Sequence, residues 1–298
     1  MTASFTEPAK KHLGQNFLHD RGVIDKIVQA IDPKPGDAVV EIGPGQGALT
    51  FPLLKRHGAI TAIEFDRDLH APLQAAARDH GALHLIEGDV LGVDFSALAA
   101  ELAPAGGKIR LAGNLPYNLS SPILFHALDH AQAIRDMHFM LQKEVVERMA
   151  AGPGSKVYGR LSVMLQAYCN VTPLFVVPPG AFRPAPKVDS AVVRLVPKPA
   201  ESILVADRRV FANVVRAAFG QRRKTLRNAL NGVADVAAIE AAGLRADARA
   251  EQVEVAGFVR LANLLALGLA VKLACVYHRL LDPPPQTASK TDSTRLSE

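Results

Sequence analysis

The sequence predicts an α/β fold of the doubly wound kind, a parallel sheet with helices on both faces, followed by a small C-terminal all-helical domain. Two patterns carry this. Through the first two-thirds of the chain, apolar β-rich runs at 38–42, 60–65, 83–87, 109–112 and 137–141 alternate with stretches of helical spacing such as 69–78. From 207 to about 281 the chain turns Ala- and Leu-rich with helical periodicity.

Strand, helix, strand order repeated in this way implies right-handed crossovers and a parallel sheet covered on both sides. After residue 170 the order changes: 171–177 and 191–196 are β-rich runs separated by a Pro-rich loop and not by a helix, so they pair as an antiparallel edge. Pro197 and Pro199 mark a linker, dividing the chain into a domain over 1–199 and a helical domain over 200–281. The apolar stretch 261–276 is interrupted by Asn263, Gly268 and Lys272 and falls short of the roughly 20 residues that span a bilayer, so it reads as a packed helix. Residues 282–298, with three consecutive prolines and little to bury, read as a disordered tail, and 1–10 lacks the apolar core of a secretory signal.

Composition narrows the chemistry. The two cysteines, Cys169 and Cys275, are too few for a disulfide framework or a four-ligand zinc site, and the ten histidines show no metal-ligand spacing. The expectation is no metal, and a reducing compartment, the cytoplasm. The net charge is +5, but 205–231 alone holds seven Arg or Lys against one Asp, so the rest of the chain is close to neutral. A polyanion is the natural partner of so local an excess.

Gly43-Pro44-Gly45-Gln46-Gly47-Ala48 follows the first predicted strand of the sheet and opens a helix. Glycine is needed there because a Cβ would keep a ligand from the backbone, and the helix N-terminus behind offers free N–H groups. The turn makes the domain Rossmann-like, yet by itself it does not separate a nicotinamide cofactor from S-adenosylmethionine. Glu64 ends the second strand of the sheet, where a carboxylate can accept both ribose hydroxyls of an adenosine, and Asp89 follows the third, within reach of an adenine amino group. Gly43, Gly45, Glu64 and Asp89 are therefore the candidate cofactor contacts.

At the end of the fourth strand stands Gly113-Asn114-Leu115-Pro116-Tyr117. An adenine amino group needs no strong base before attack, but it does need acceptors that hold both its protons. The Asn114 side-chain oxygen and a backbone carbonyl of Leu115 or Pro116 are candidates, with proline fixing the carbonyl direction. Tyr117 offers a face on which a base can stack, worth roughly 1–3 kcal/mol, comparable with the few kcal/mol of extruding it.

These motifs in this order resemble the ribosomal RNA adenine N6-dimethyltransferases, over Lys11 to about Leu267. Leu13-Gly14-Gln15-Asn16-Phe17-Leu18 looks like that family's N-terminal cofactor motif, which implies that Asn16 and Leu18 help bind S-adenosylmethionine and that Asn114 contacts it too. Asn114-Leu115-Pro116-Tyr117 is similar to the catalytic motif. Phe182-Arg183-Pro184-Ala185-Pro186-Lys187-Val188-Asp189-Ser190 is similar to the second substrate motif, implying that Phe182 faces Tyr117 across the base. Without the resemblance, Phe182 in a Pro-rich loop would read as a plug of the core.

On the RNA side, 219–230 has helical spacing that turns Phe219, Leu226 and Leu230 inward and leaves Arg222, Arg223, Lys224 and Arg227 as a patch for phosphates. Arg183 and Lys187, and more loosely Arg194, Lys10 and Lys11, extend that surface toward the cleft. The resemblance implies dimethylation of N6 on two adjacent adenosines in the 3′-terminal hairpin loop of small-subunit (16S) rRNA, within an immature 30S particle, by a monomer needing neither membrane nor metal. The 219–228 segment looks like the small-subunit enzymes. The alternatives are a large-subunit methyltransferase of the macrolide-resistance type, a nicotinamide-dependent oxidoreductase on the same turn, and a non-catalytic RNA-binding assembly factor, against which the intact Asn114, Pro116, Tyr117 and Phe182 set argues.

Overall fold

Aspartates start several of the helices. The computed structural model describes residues 8–10, 13–104, 106–221 and 223–281, with side chains of the last helix as far as 268. The N-terminal arm ends in the short strand β1 (Phe17–Leu18), and Asp20 then caps α1 (Arg21–Ile31) by accepting the Val23 N–H. Next come β2 (Ala38–Ile42), α2 (Thr50–His57), β3 (Ala59–Glu64) and α3 (Arg67–Ala77), the last capped by Asp66. They are followed by β4 (Ala82–Glu87), α4 (Phe95–Leu102) capped by Asp94, β5 (Ile109–Asn114), α5 (Ser120–Asp129) and β6 (Ile134–Gln142). Each such side-chain cap is worth about 1 kcal/mol and fixes where its helix begins.

After β6 the winding ends. Helices α6 (Lys143–Ala150) and α7 (Arg160–Tyr168) lead to β7 (Cys169–Val177), the two-residue β8 (Phe182–Arg183) and β9 (Ser190–Pro197). The helical unit comprises α8 (Arg208–Gly220), α9 (Leu226–Ala229), α10 (Val236–Ala241) and α11 (Val255–Leu281). Among the described residues no helix is long and apolar enough to cross a membrane. The expected tail 282–298 lies outside the described residues.

The large sheet has the order β4-β3-β2-β5-β6-β9-β7, parallel from β4 to β6 and antiparallel at β9 and β7. The predicted antiparallel edge is therefore present, with β9 inserted between β6 and the edge strand β7. Pro173 lies on that edge, where its missing N–H costs no ladder bond, and the register shifts between it and Phe175. Side chains alternate across the sheet: Val39, Ala112 and Met140 join the apolar cluster around α1 and α2, while Val40, Leu111 and Phe139 join the cluster on the opposite face.

That second cluster does not stop at the linker. Phe211, Val214, Val215 and Ala218 form the inward stripe of α8 and belong to the same core as Val163, Leu165 and Tyr168 of the α/β part. At roughly 1.5–3 kcal/mol per large apolar side chain, this shared burial outweighs any surface contact between the two parts. Tyr158 adds a bond from its hydroxyl to the Val253 carbonyl at 3.0 Å.

Two expectations fail in detail. β6 begins at Ile134, three residues before the predicted run, because Asp136 is a buried strand residue gripped by both Nε and Nη2 of Arg110 at 2.9 Å. The helix expected over 219–230 is broken: α8 ends at Gly220, Thr225 bridges to Arg249, and α9 is a separate single turn. Leu226 and Leu230 are nonetheless fully buried, held by Leu226 N–H to the Ala248 carbonyl at 2.7 Å.

Candidate active site

The chain leaves β2 for β3 on one side and, after β4, returns to β5 on the other, so β2 and β5 flank the point where the winding reverses. Ligands of open α/β sheets lie there, beyond the C-terminal ends of the strands. A cleft occupies this place, about 1240 Å³ with its open mouth included, walled by the glycine turn, the 114–119 loop and the N-terminal arm. In the turn, Gly43 and Gly45 have φ of +67° and +57°, which favours glycine, and a Cβ on Gly45 would come within 3.2 Å of the Phe17 ring. The turn is thus pressed between the sheet and the arm.

Glu64 sits at the end of β3 facing this turn. Its carboxylate accepts the Gly45 N–H at 3.0 Å and the Asp66 N–H at 2.8 Å. Burial pushes its pKa up against those two bonds, which favour the charged form. Asp89 lies exposed on the cleft wall and caps the following turn through the Leu91 N–H at 2.9 Å. Gly43, Gly45, Glu64, Asp89, Asn16, Leu18 and Asn114 all border this one cleft.

Sequence reasoning missed Glu41. It is buried in β2 behind the turn, accepts the Thr50 hydroxyl at 2.7 Å, and has its pKa pushed up to about 8 by burial, with the Glu64 charge adding to the rise. Burial thus favours its protonated form at neutral pH. The legible signal was an acid inside an otherwise apolar strand, a position carboxylates rarely occupy.

Asn114 ends β5, and its Nδ2 donates to the Asn16 carbonyl at 2.9 Å. A carbonyl facing a carbonyl would repel, so this bond fixes which end of the amide is the donor and leaves the oxygen for a ligand. Leu115 is buried and donates its N–H to the Met140 carbonyl at 3.1 Å. The Pro116 carbonyl accepts the Leu119 N–H at 3.0 Å and lies 3.1 Å from the Ser120 hydroxyl, so of the two backbone carbonyls it is the committed one. Tyr117 is half-buried on the cleft, its hydroxyl 2.7 Å from that of Ser190.

The arm is fastened over the cofactor end. Lys10 reaches Asp66 and Asp68 at 2.5 Å each, and Gln15 donates to Asp66 at 2.8 Å. Lys10 is therefore committed to carboxylates and is not the phosphate contact expected of it; Lys11 lies outside the described residues. Arg194 likewise leans toward Asp136, at 3.8 Å, near the start of β6 and away from the cleft.

Phe182 is a correction. It does not border the cleft: its residue is 2% exposed, β8 pairs with β1 in the register Leu18↔Phe182, and the ring belongs to the apolar cluster that holds Leu18, Met140 and Val192. The aromatic side chains on the cleft besides Tyr117 are Phe17 and Phe65, the latter 59% exposed because β3 ends one residue before it. A strand expected to run through residue 65 hid that exposure. Arg183, Lys187, Arg223, Lys224 and Arg227 are all exposed, while Arg222 lies outside the described residues. Arg208, counted in the cationic excess, is instead paired with Asp129 at 2.6 Å and stacked over Tyr168.

A reversed-winding crevice with a glycine turn, a buried acid one strand away and an amide-proline-tyrosine loop opposite is a site for an adenosine-bearing cofactor, and the family match makes the class an S-adenosylmethionine-dependent methyltransferase. Residues 6–267 match the family model Ribosomal RNA adenine dimethylase, and the chain belongs to that family. It is 72% identical over 264 residues to the Ribosomal RNA small subunit methyltransferase A of Xanthomonas campestris pv. campestris strain B100, covering 89% of this chain and 99% of that one. A protein of the same name from Xanthomonas oryzae pv. oryzae strain PXO99A is 71% identical over the same shares. Among solved structures, a dimethyladenosine transferase from Plasmodium falciparum superposes with a TM-score of 0.70 at 28% identity, over 82% of this chain and 95% of that one. The 23S rRNA methyltransferase ErmE gives 0.63 at 26% identity, over 84% and 100%.

Proposed function

We propose that this chain dimethylates N6 of two adjacent adenosines in the 3′-terminal hairpin loop of small-subunit (16S) rRNA, acting as a cytoplasmic monomer on an immature 30S particle. The observation that carries the chemistry is the Asn114 amide, whose donor end is spent on Asn16 and whose oxygen remains for a substrate on the same cleft as Tyr117. The small-subunit target is supported by the 72% identity to proteins named for that subunit, against 26% to a 23S enzyme.

The residues present fit the cofactor: a glycine turn that a Cβ would crowd, the Glu64 carboxylate beside it, and Asp89, Asn16 and Leu18 around the same space. When bound, S-adenosylmethionine supplies an electrophilic methyl group. The Asn114 oxygen and the Leu115 carbonyl then accept hydrogen bonds from the two N6–H groups, which turns the nitrogen lone pair out of conjugation with the ring. Tyr117 stacks on the extruded base. Phe182, in this arrangement, supports the floor under β1 and is not a second stacking face. Arg223, Lys224 and Arg227, with Arg183 and Lys187, hold phosphates and position the RNA without reading its sequence.

Labelled methyl transfer to undermethylated small subunits, followed by mapping of the modified base, tests this reading. Two dimethylated neighbouring adenosines are expected; methylation of large-subunit RNA with immature small subunits ignored would overturn it.

A further inference from the structure

Ser190 has no role in the chemistry above, yet it is fully buried and its hydroxyl touches the aromatic residue on which that chemistry depends. It begins β9, opposite Gln142 of β6 on one side and Val177 of β7 on the other. A residue ladder-paired on both sides is among the most fixed positions in the sheet. Tyr117, by contrast, stands on a loop beyond the end of β5, where nothing in the strand ladder sets its ring.

The 2.7 Å bond between the two hydroxyls transfers the rigidity of the sheet to that loop. With its oxygen anchored and its Cα held by the loop, the ring is tied at both ends, so its long axis is fixed before any base arrives, and the in-plane preference of a phenol hydrogen bond resists rotation about that axis. Burial raises the Tyr117 pKa, so the phenol stays protonated and able to share this bond throughout the working pH range. We propose that Ser190 is a positioning residue for methyl transfer, holding the Tyr117 ring in the orientation that stacks on the extruded adenine. A preorganised stacking face lowers the ordering cost at the step where the base must be held against the amide, so the effect belongs in kcat and not in cofactor affinity.

The inference rests on the stacking role of Tyr117, and the experiment separates the two. Ser190→Ala, Tyr117→Phe, the double variant and Tyr117→Ala are made in the full chain. They are assayed for methyl transfer to undermethylated small subunits, for S-adenosylmethionine binding by calorimetry, and for quenching of 2-aminopurine placed at the target adenosine of an RNA hairpin. Ser190→Ala and Tyr117→Phe are each expected to lower kcat by about tenfold, the scale of one hydrogen bond, with weaker quenching and unchanged cofactor Kd. The double variant should fall no further than the worse single one. A further loss on adding Ser190→Ala to Tyr117→Phe would mean that Ser190 acts through the sheet, and the inference would fail. It would fail equally if Tyr117→Phe matched the parent, a result that needs no Ser190 variant to fold. Full activity in Tyr117→Ala would remove the stacking role itself, whereas loss in Tyr117→Ala beside full activity in Tyr117→Phe removes only the part played by Ser190.

Discussion

The backbone carbonyl of Asn16 receives a hydrogen bond from the side-chain nitrogen of Asn114, 98 residues away in the chain. One partner lies in the arm beside the glycine turn and the other at the C-terminal end of β5. The rotation of the Asn114 amide is therefore set by the segment that walls the cleft.

Asn114→Ala should lower methyl transfer by roughly 10²–10³, the usual effect of deleting one preorganised polar group from a reacting centre. RNA affinity, measured by filter binding, should change less than about twofold, since Asn114 meets no phosphate. Asn114→Asp should be as inactive, because a carboxylate repels the Asn16 carbonyl that the amide engages. Equal loss of binding and catalysis would contradict the assigned role.

Arg223→Ala combined with Lys224→Ala should weaken RNA binding and reduce the slope of log K against log salt by roughly 1.5, given about 0.7–0.9 per phosphate contact. Arg208→Ala is the control from the same cationic segment. Its guanidinium is engaged by Asp129 and Tyr168, so it should lower the melting temperature and leave the slope unchanged.

Glu41 makes stability fall toward alkaline pH. Its folded pKa, about 8, lies above the ordinary 4.5, so the folded state holds a proton that the unfolded state has released between those values. Stability from this group is complete below pH 4.5 and is lost as pH rises through 8. Glu41→Gln keeps a group able to meet Thr50 and removes the titration. The difference in unfolding free energy between variant and parent, from urea melts, should grow in favour of the variant from pH 5 to 8; a constant difference would mean that Glu41 is charged in the folded protein.

His138 acts in the opposite direction. Burial lowers its pKa to about 4, outweighing the attraction of Asp136, 3.6 Å from Nδ1, and the contact with the Ala30 backbone. The unfolded chain takes up a proton below pH 6.5 that the folded chain refuses until about pH 4, so stability falls across that window by on the order of 3 kcal/mol. His138→Met, which removes the titrating ring from this buried site, should flatten the acid limb of the melting profile. An unaltered limb would place the acid sensitivity elsewhere.

The winding of the sheet was legible because the inner parallel strands β2, β3, β5 and β6 are buried on both faces and so stand out as short apolar runs between helical stretches. The glycine turn, Glu64, Asp89 and Asn114 were legible because a crevice at the reversal point demands particular residue types there. What escaped depends on distant partners. Arg135 and Asp136 look like loop residues until Arg110 arrives from β5 to neutralise the buried carboxylate. The break after Gly220 follows from the bridge between Thr225 and Arg249, which no local spacing announces. Phe182 was placed on the cleft by likeness, whereas pairing of β8 with β1 turns it inward, the outcome that its Pro-rich setting alone favoured.

The core that runs unbroken from Val163 and Tyr168 into Phe211 and Val214 has a mechanical consequence. The helical unit cannot swing without dragging apolar side chains into water, so the span between the exposed Arg223-Lys224 pair and the amide at the cleft is kept as a fixed gauge.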